Sequence, residues 1–241
     1  MKKLILPLLF VFLFSTNSFA GDSDITLEGS GLVQQGFEDL SRELGMAVAY
    51  RAAAPAEPLG ITGFDIGLEV TVTDIDEGAI YWENVSDDMP GSLPVPKLRV
   101  QKGLPFGIDI GAFYSKIPDS DIKLTGAEIK YAFWEGGVAK PALAIRGTYT
   151  KLDGIDELDL TTKGLDLSIS KGFAMLTPYA GVGQVWITSD SSNQTLNLDK
   201  EEITETKYFV GARLALGFFM IVAEYEQAEV PSYTAKFSLG F

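Results

Sequence analysis

The side chains of this chain that could do chemistry are carboxylates, lysines, arginines and hydroxyls, because the 241-residue sequence contains neither histidine nor cysteine. Histidine is the usual general base and the commonest metal ligand, and cysteine is the usual thiol nucleophile. Composition alone leaves Ser–Lys and paired-aspartate catalysis open, but no motif in the sequence indicates either. We therefore expect no enzymatic activity, no cofactor and no metal site.

Many of the charged residues share one feature: each alternates with apolar residues along a short stretch of sequence. Seven acids and seven bases occur in this way: Asp65, Glu69, Asp109, Glu128, Asp166, Glu224 and Glu226, with Lys97, Arg99, Lys130, Arg146, Lys207, Arg213 and Lys236. Charges away from water persist mainly when they are paired, so this balance favours a mutually neutralised network. The alternative is that some of the bases line a selective passage.

The apolar residues around those charges indicate β-strands. In "ITGFDIGLEVTVT", every second residue from Phe64 to Val72 is apolar, and the residues between them are mostly small or polar. Alternation of this kind is typical of a half-buried strand. Ten such stretches follow one another as far as the terminal "YTAKFSLGF". We predict an all-β antiparallel fold of about ten strands, or twelve if "LGMAVAY" is also a strand.

Two features favour a membrane barrel over a soluble sandwich. Short connections such as "KGLP" and "EGGVAK" contrast with long ones at 74–94 and 188–202, as in barrels with short turns on one rim and long loops on the other. A bilayer admits β-structure only as a closed barrel, and the alternating charges then point into its lumen. Aromatic residues at many strand ends would form the two interfacial girdles: Tyr114, Phe133, Tyr149, Trp186, Tyr208, Phe219, Tyr233 and Phe241.

The last strand carries a resemblance to a known class. Tyr233, Phe237, Leu239 and Phe241 alternate up to the free carboxyl end, and this pattern resembles the closing strand of Gram-negative outer-membrane barrels. In that class the barrel-assembly machinery recognises the terminal phenylalanine. "TPYAGVG" resembles a strand of small outer-membrane barrels, and "LPVPKLRVQKGLPFGIDIGAFY" resembles a group of proteobacterial outer-membrane proteins with no assigned activity. The resemblance implies an outer-membrane location, with lipid and lipopolysaccharide as partners.

The amino-terminal residues predict export. "MKKLILPLLFVFLFSTNSFA" has two lysines, an apolar run and small residues around a cut after Ala20, which is typical of a secretory signal peptide. We therefore divide the chain into a signal peptide at 1–20, an amino-terminal segment at 21–59 and a barrel at 60–241.

The amino-terminal segment contains a predicted amphipathic helix. Its apolar residues recur at helical spacing, and prolines in "APAEPLG" end the pattern. The apolar face comprises Phe37, Leu40, Leu44 and Val48. This helix could cap the periplasmic mouth, enter the lumen as a plug or lie on the inner leaflet. The layout resembles that of long-chain fatty-acid channels, which place an amino-terminal plug before their barrel.

The overall charge excludes one class of partner. A net charge of −14 does not suit a surface that neutralises nucleic-acid phosphates.

We expect a narrow or plugged passive channel for small or apolar solutes. The alternative is a non-conducting structural or surface-binding barrel.

Overall fold

A computed structural model describes residues 27, 32–76, 78–83, 91–117, 120–137, 139–192 and 197–241. The predicted signal peptide and its cleavage after Ala20 lie outside the described residues. None of the helices in the described ranges is long and apolar enough to cross a bilayer.

Ten antiparallel strands close into a barrel, which confirms the predicted fold. The elements are α1 (Gln34–Val48), β1 (Phe64–Asp74), α2 (Ile80–Glu83), β2 (Ser92–Gly103), β3 (Ile108–Lys116), β4 (Lys123–Trp134), β5 (Ala142–Asp153), β6 (Leu158–Ser170), β7 (Leu176–Ser191), β8 (Glu201–Leu216), β9 (Phe219–Gln227) and β10 (Pro231–Gly240). The alternative of a strand at "LGMAVAY" is wrong, because most of that stretch forms the last turns of α1.

Each strand pairs with its neighbours in sequence, and the first pairs with the last. Val72 of β1 lies opposite Tyr233 of β10, and this ladder runs from Asp65 to Thr73 of β1 without a break. The terminal Phe241 packs edge-on against Phe64, with ring centroids 4.9 Å apart. The closing seam therefore leaves no free sheet edge beside the carboxyl terminus.

The two ends of the barrel differ. The turn rim consists of the connections 104–107, 135–141, 171–175 and 217–218 together with the carboxyl terminus. The loop rim consists of the connections 75–91, 117–122, 154–157, 192–200 and 228–230. At the turn rim, Gly217 adopts a φ of 70° in a two-residue turn, a conformation that glycine accepts without strain. Loop-rim connections 154–157 and 228–230 are as short as the turns, so length alternates less regularly than the sequence predicts.

The outer surface of the barrel is apolar. Outward residues such as Leu68, Ile129 and Val210 are each about half exposed or more. Exposed aromatic side chains lie toward both strand ends: Phe106, Phe133, Phe173, Phe218, Phe219 and Phe241 toward the turn rim, and Tyr114, Tyr149, Trp186, Tyr208, Tyr225 and Tyr233 toward the loop rim. An apolar band between two aromatic girdles is the surface that a membrane-spanning barrel presents to lipid.

The interior has two layers. Near the loop ends of the strands the inward residues are apolar, and they form the wall of a loop-side layer: Val95, Phe113, Leu124, Leu152, Leu160, Val185, Ile187 and Ile203. Closer to the turn rim most inward residues are charged, and they form a turn-side layer. The amino-terminal segment fills both layers.

Candidate functional site: a lumen occupied by the amino-terminal segment

The helix α1 lies inside the loop-side layer. It contacts β1, β2, β6, β7 and β8, which surround it on several sides. Its predicted apolar face is buried in the same cluster as the wall: Phe37, Leu40, Leu44 and Val48. At Gly45 the helix backbone comes so close to β7 that an added Cβ would lie 2.5 Å from Ile187 Cγ2. The helix is therefore seated against the wall rather than capping the turn rim.

Polar contacts also link the middle of α1 to the barrel wall. The Arg42 guanidinium lies 3.0 Å from the Glu205 carboxylate of β8, and it also pairs with Glu38 and Asp39 of its own helix. Partial burial would lower the pKa of Arg42, but hydrogen bonds to Glu38 and Glu205 outweigh it and raise that pKa above its ordinary value. Arg42 is thus a permanent cation that links α1 to the barrel.

A second polar contact joins α1 to α2. The buried Glu43 carboxylate accepts a hydrogen bond of 2.6 Å from the Trp82 indole and weaker ones from the backbone N–H of Asp76. Burial and the neighbouring Glu43 carboxylate raise the pKa of the Tyr81 phenol well above its ordinary value. Asp76 and α2, which follow β1, therefore pack against α1.

Residues 49–59, here called the threaded segment, continue from α1 through the turn-side layer. The Lys207 ammonium donates to the Tyr50 carbonyl at the beginning of the segment, and the Leu59 N–H donates to Asp109 at its end. Residues 49–56 are all buried, although the segment belongs to neither a helix nor a strand. Its backbone groups cannot pair with one another, so their partners must come from the barrel wall.

Basic side chains of the wall satisfy the carbonyl groups of the threaded segment. Arg99 donates to the carbonyls of Arg51 and Ala52 at 3.1 and 2.9 Å. Lys130 donates to those of Pro55 and Glu57 at 3.0 and 2.9 Å. Arg146 donates to the Ala54 carbonyl at 3.4 Å. The bases therefore bind a peptide backbone as well as carboxylates.

Acidic side chains of the wall accept the N–H groups of the same segment. Glu224 accepts the Ala53 N–H at 2.8 Å and the Tyr179 hydroxyl at 2.8 Å. Asp109 accepts the Leu59 N–H at 3.0 Å. Wall residues of both signs are thus used, because a backbone without regular secondary structure leaves both its N–H and its carbonyl groups to be satisfied.

The charged residues that the sequence predicts to face the lumen also form ion pairs with one another. Arg99 lies between two carboxylates, at 2.8 Å from Glu69 and 3.2 Å from Glu128, and Arg146 reaches Glu128 at 3.0 Å. Lys97 approaches Glu69 at 3.5 Å. These ion pairs connect β1, β2, β4 and β5 through one continuous group of buried charged side chains.

Three further lysines form four ion pairs around the rest of the turn-side layer. Lys236 bonds to Asp65 at 3.0 Å, and Lys130 to Asp109 at 2.9 Å. Lys207 lies between Asp166 at 3.3 Å and Glu226 at 3.1 Å. Arg213 stands apart from this network, because it pairs with Glu57 at 3.2 Å in a partly exposed position near the turn rim.

Several functional residues are missing from the sequence prediction. Arg51 of the threaded segment is buried and bonds to Glu226, Ser232 and the Met46 carbonyl. Tyr179 interrupts the alternation of β7 because it points into the lumen toward Glu224. The signal for the threaded segment is "YRAAAPAEP": its alanines are small enough for long wall side chains to reach the backbone.

Little space remains in the turn-side layer. A cavity of about 10 Å³ lies beside the threaded segment, which is room for about one water molecule. It is lined by Ala54, Pro55, Glu57, Leu59, Asp65, Gln101, Lys130, Arg213, Val222 and Lys236.

The closed barrel, its apolar outer band and its aromatic girdles define a transmembrane β-barrel. The chain belongs to the family described as "Family of unknown function (DUF6588)", whose model matches residues 71–241. That match begins within β1, so it comprises nearly all of the barrel and none of α1 or the threaded segment. A comparison with curated proteins finds no match.

Several solved structures show a distant similarity. A KdgM porin is 9% identical with a TM-score of 0.37, covering 73% of this chain and 99% of its own. The outer membrane protein OprG from Pseudomonas aeruginosa is 10% identical with a TM-score of 0.38, covering 78% and 99%. Ail, the attachment invasion locus protein of Yersinia pestis, is 15% identical with a TM-score of 0.26, covering 74% and 95%. Scores this low carry no functional assignment.

Proposed function

We propose that the protein is an integral outer-membrane barrel whose lumen is closed at rest by its own amino-terminal segment. The observation that carries this proposal is the threaded segment, whose backbone is bonded to wall residues on several strands, including Arg99, Lys130 and Glu224. An ion would have to displace these bonds in order to pass. The function is passive and involves no catalysis.

The orientation follows from the two rims. Short turns and the carboxyl terminus of such barrels face the periplasm, and the longer loops face outward. The turn rim is accordingly the periplasmic end of the barrel. The signal peptide at residues 1–20 is removed during export, before the barrel reaches the outer membrane. The apolar band contacts the lipid, and the loop rim meets the lipopolysaccharide leaflet.

A second candidate is a gated passage for small or apolar solutes. The loop-side layer favours it, because membrane barrels usually have a polar interior and this layer is apolar. If α1 moved away from Ile187 and the rest of the apolar wall, it would leave an apolar cavity at the loop rim. In this candidate the closed state is the resting state of a channel.

Single-channel recording in a planar bilayer tests the proposal. The intact protein is expected to give no steady conductance. Deletion of residues 25–50 removes α1, and deletion of residues 25–59 also removes the threaded segment. Conductance is expected to rise only slightly after the first deletion and more after the second. Large steady currents from the intact protein would show that the barrel is an open pore.

We also propose that the barrel-assembly machinery recognises Phe241. It ends the closing strand and is half exposed beside Phe64. Deletion of Phe241 should leave unfolded protein in the periplasm and activate the envelope stress response. Replacement of the similarly exposed Phe218 by leucine is the control, because it leaves the last strand intact. Normal levels of heat-modifiable barrel after the deletion would rule the proposal out.

A further inference from the structure

The start of α1 lies at the loop rim. The Gln34 side-chain amide donates to the Asp199 carbonyl at 3.1 Å and to the Glu201 carboxylate, and its oxygen accepts the Asp199 N–H at 2.8 Å. Asp199 belongs to the connection after β7, and Glu201 is the first residue of β8. The helix therefore begins at the rim opposite the carboxyl terminus.

Leu27 and Leu32, which precede α1 in the described part of the chain, lie near the same rim. Leu27 and Leu32 are buried in the cluster that contains Ile75 and Trp82, both of which follow β1 in the connection 75–91. Their side chains therefore pack under the loop-rim connections.

The other end of the amino-terminal segment reaches the turn rim. The Leu59 N–H donates to Asp109, near the turn end of β3, and Gly63 accepts a backbone bond from Gly103 at the end of β2. Phe64 then opens β1 beside Phe241. Between Leu32 and Phe64 the chain has crossed the whole length of the lumen.

We infer that the chain is threaded once through its own barrel, so that the start of α1 lies at the loop rim and the carboxyl terminus at the turn rim. With the orientation proposed above, the start of α1 is displayed at the cell surface. That last step rests on the proposed function, whereas the threading does not.

Cysteine labelling on intact cells tests the threading, and the natural absence of cysteine makes single-cysteine variants unambiguous. Val33→Cys places a thiol at the start of α1, where the side chain is 67% exposed. Gln35→Cys repeats the test at a second exposed position. Lys200→Cys reports the loop rim, and Met175→Cys reports the turn rim. Each variant is treated with a membrane-impermeant maleimide before and after the outer membrane is permeabilised.

We expect Val33→Cys, Gln35→Cys and Lys200→Cys to react on intact cells, and Met175→Cys to react only after permeabilisation. If Lys200→Cys reacts on intact cells but the two α1 variants do not, the threading is wrong while the barrel orientation stands. If Met175→Cys reacts on intact cells and Lys200→Cys does not, the proposed orientation is wrong. The threading is then upheld only if the α1 variants follow Lys200→Cys.

Discussion

The two layers of the lumen hold the same segment in different ways. In the loop-side layer the segment is a helix, whose backbone groups bond to one another, and the wall around it is apolar. In the turn-side layer the segment has no regular secondary structure, and the wall is charged. The difference teaches that the wall supplies whatever the backbone lacks: apolar contact where hydrogen bonds are already made, and donors and acceptors where they are not.

This comparison also explains why so many charges are tolerated inside the barrel. A buried ion pair alone often contributes little, because desolvation offsets the attraction. Here Arg99 and Lys130 each bond to carboxylates and to backbone carbonyls, so most of their donors are used. The charged wall residues therefore fix the path of the threaded segment and also neutralise one another.

Removal of Arg99 should have the largest effect on stability. Arg99→Ala removes a guanidinium partner from each of the buried carboxylates of Glu69 and Glu128, and it leaves two carbonyls without their donor. Loss of one member of a buried charge pair costs about 3–5 kcal/mol. The urea midpoint of the folded barrel in detergent measures this loss of stability. The midpoint of Arg99→Lys should fall between those of the parent protein and Arg99→Ala, because lysine keeps the charge but not the several donors of a guanidinium.

If Arg99→Ala unfolds at the same urea concentration as the parent protein, the turn-side layer is not held by this network. A loss confined to the lysine variant would equally contradict the account.

A smaller effect is expected from filling space in the loop-side layer. Gly45→Ala places a Cβ within 3 Å of the buried Ile187 side chain, and overpacking of this kind costs about 1–3 kcal/mol. Hydrogen exchange of the α1 amides should become faster. Gly36→Ala is the matched control, because its Cβ meets only Leu32 and Tyr81 at 3.1 and 3.4 Å. Equal exchange rates in the two variants would show that α1 is not seated against β7.

The smallest effect is expected at the mouth of the turn-side layer. Arg213 and Glu57 form a partly exposed pair, and such pairs contribute roughly 0–1 kcal/mol. Arg213→Ala should therefore shift the urea midpoint much less than Arg99→Ala. A shift as large as that of Arg99→Ala would place Arg213 within the buried network.

The sequence predicts the barrel well because alternation is a local property. The two faces of β1 and β10 are visible in every second residue, and burial alternates along both strands in the same way. Alternation does not tell how the lumen changes along its axis. Leu160 and Ile187 point inward near the loop rim because α1 is there, and α1 lies more than 100 residues away in sequence.

The path of the amino-terminal segment could not be predicted for the same reason. The spacing of Phe37, Leu40 and Leu44 predicts the helix itself, but the sequence leaves three alternatives open for where the helix lies. The bonds from Arg99 and Lys130 to backbone carbonyls leave no pattern in their own strands. Only the run of alanines in "YRAAAPAEP" hints at a backbone that must be approached closely.

A disulfide between α1 and β7 tests the central claim most directly. An added Cβ at Gly45 lies close to the Ile187 side chain, which suits the short Cβ separation of a disulfide. We predict that Gly45→Cys with Ile187→Cys forms an intramolecular bond in outer membranes under mild oxidation. Gly36→Cys with Ile187→Cys should not, because nine residues of helix separate the two glycines by about 13 Å. Free thiols in the first pair, or equal cross-linking in both, would contradict a lumen occupied by α1.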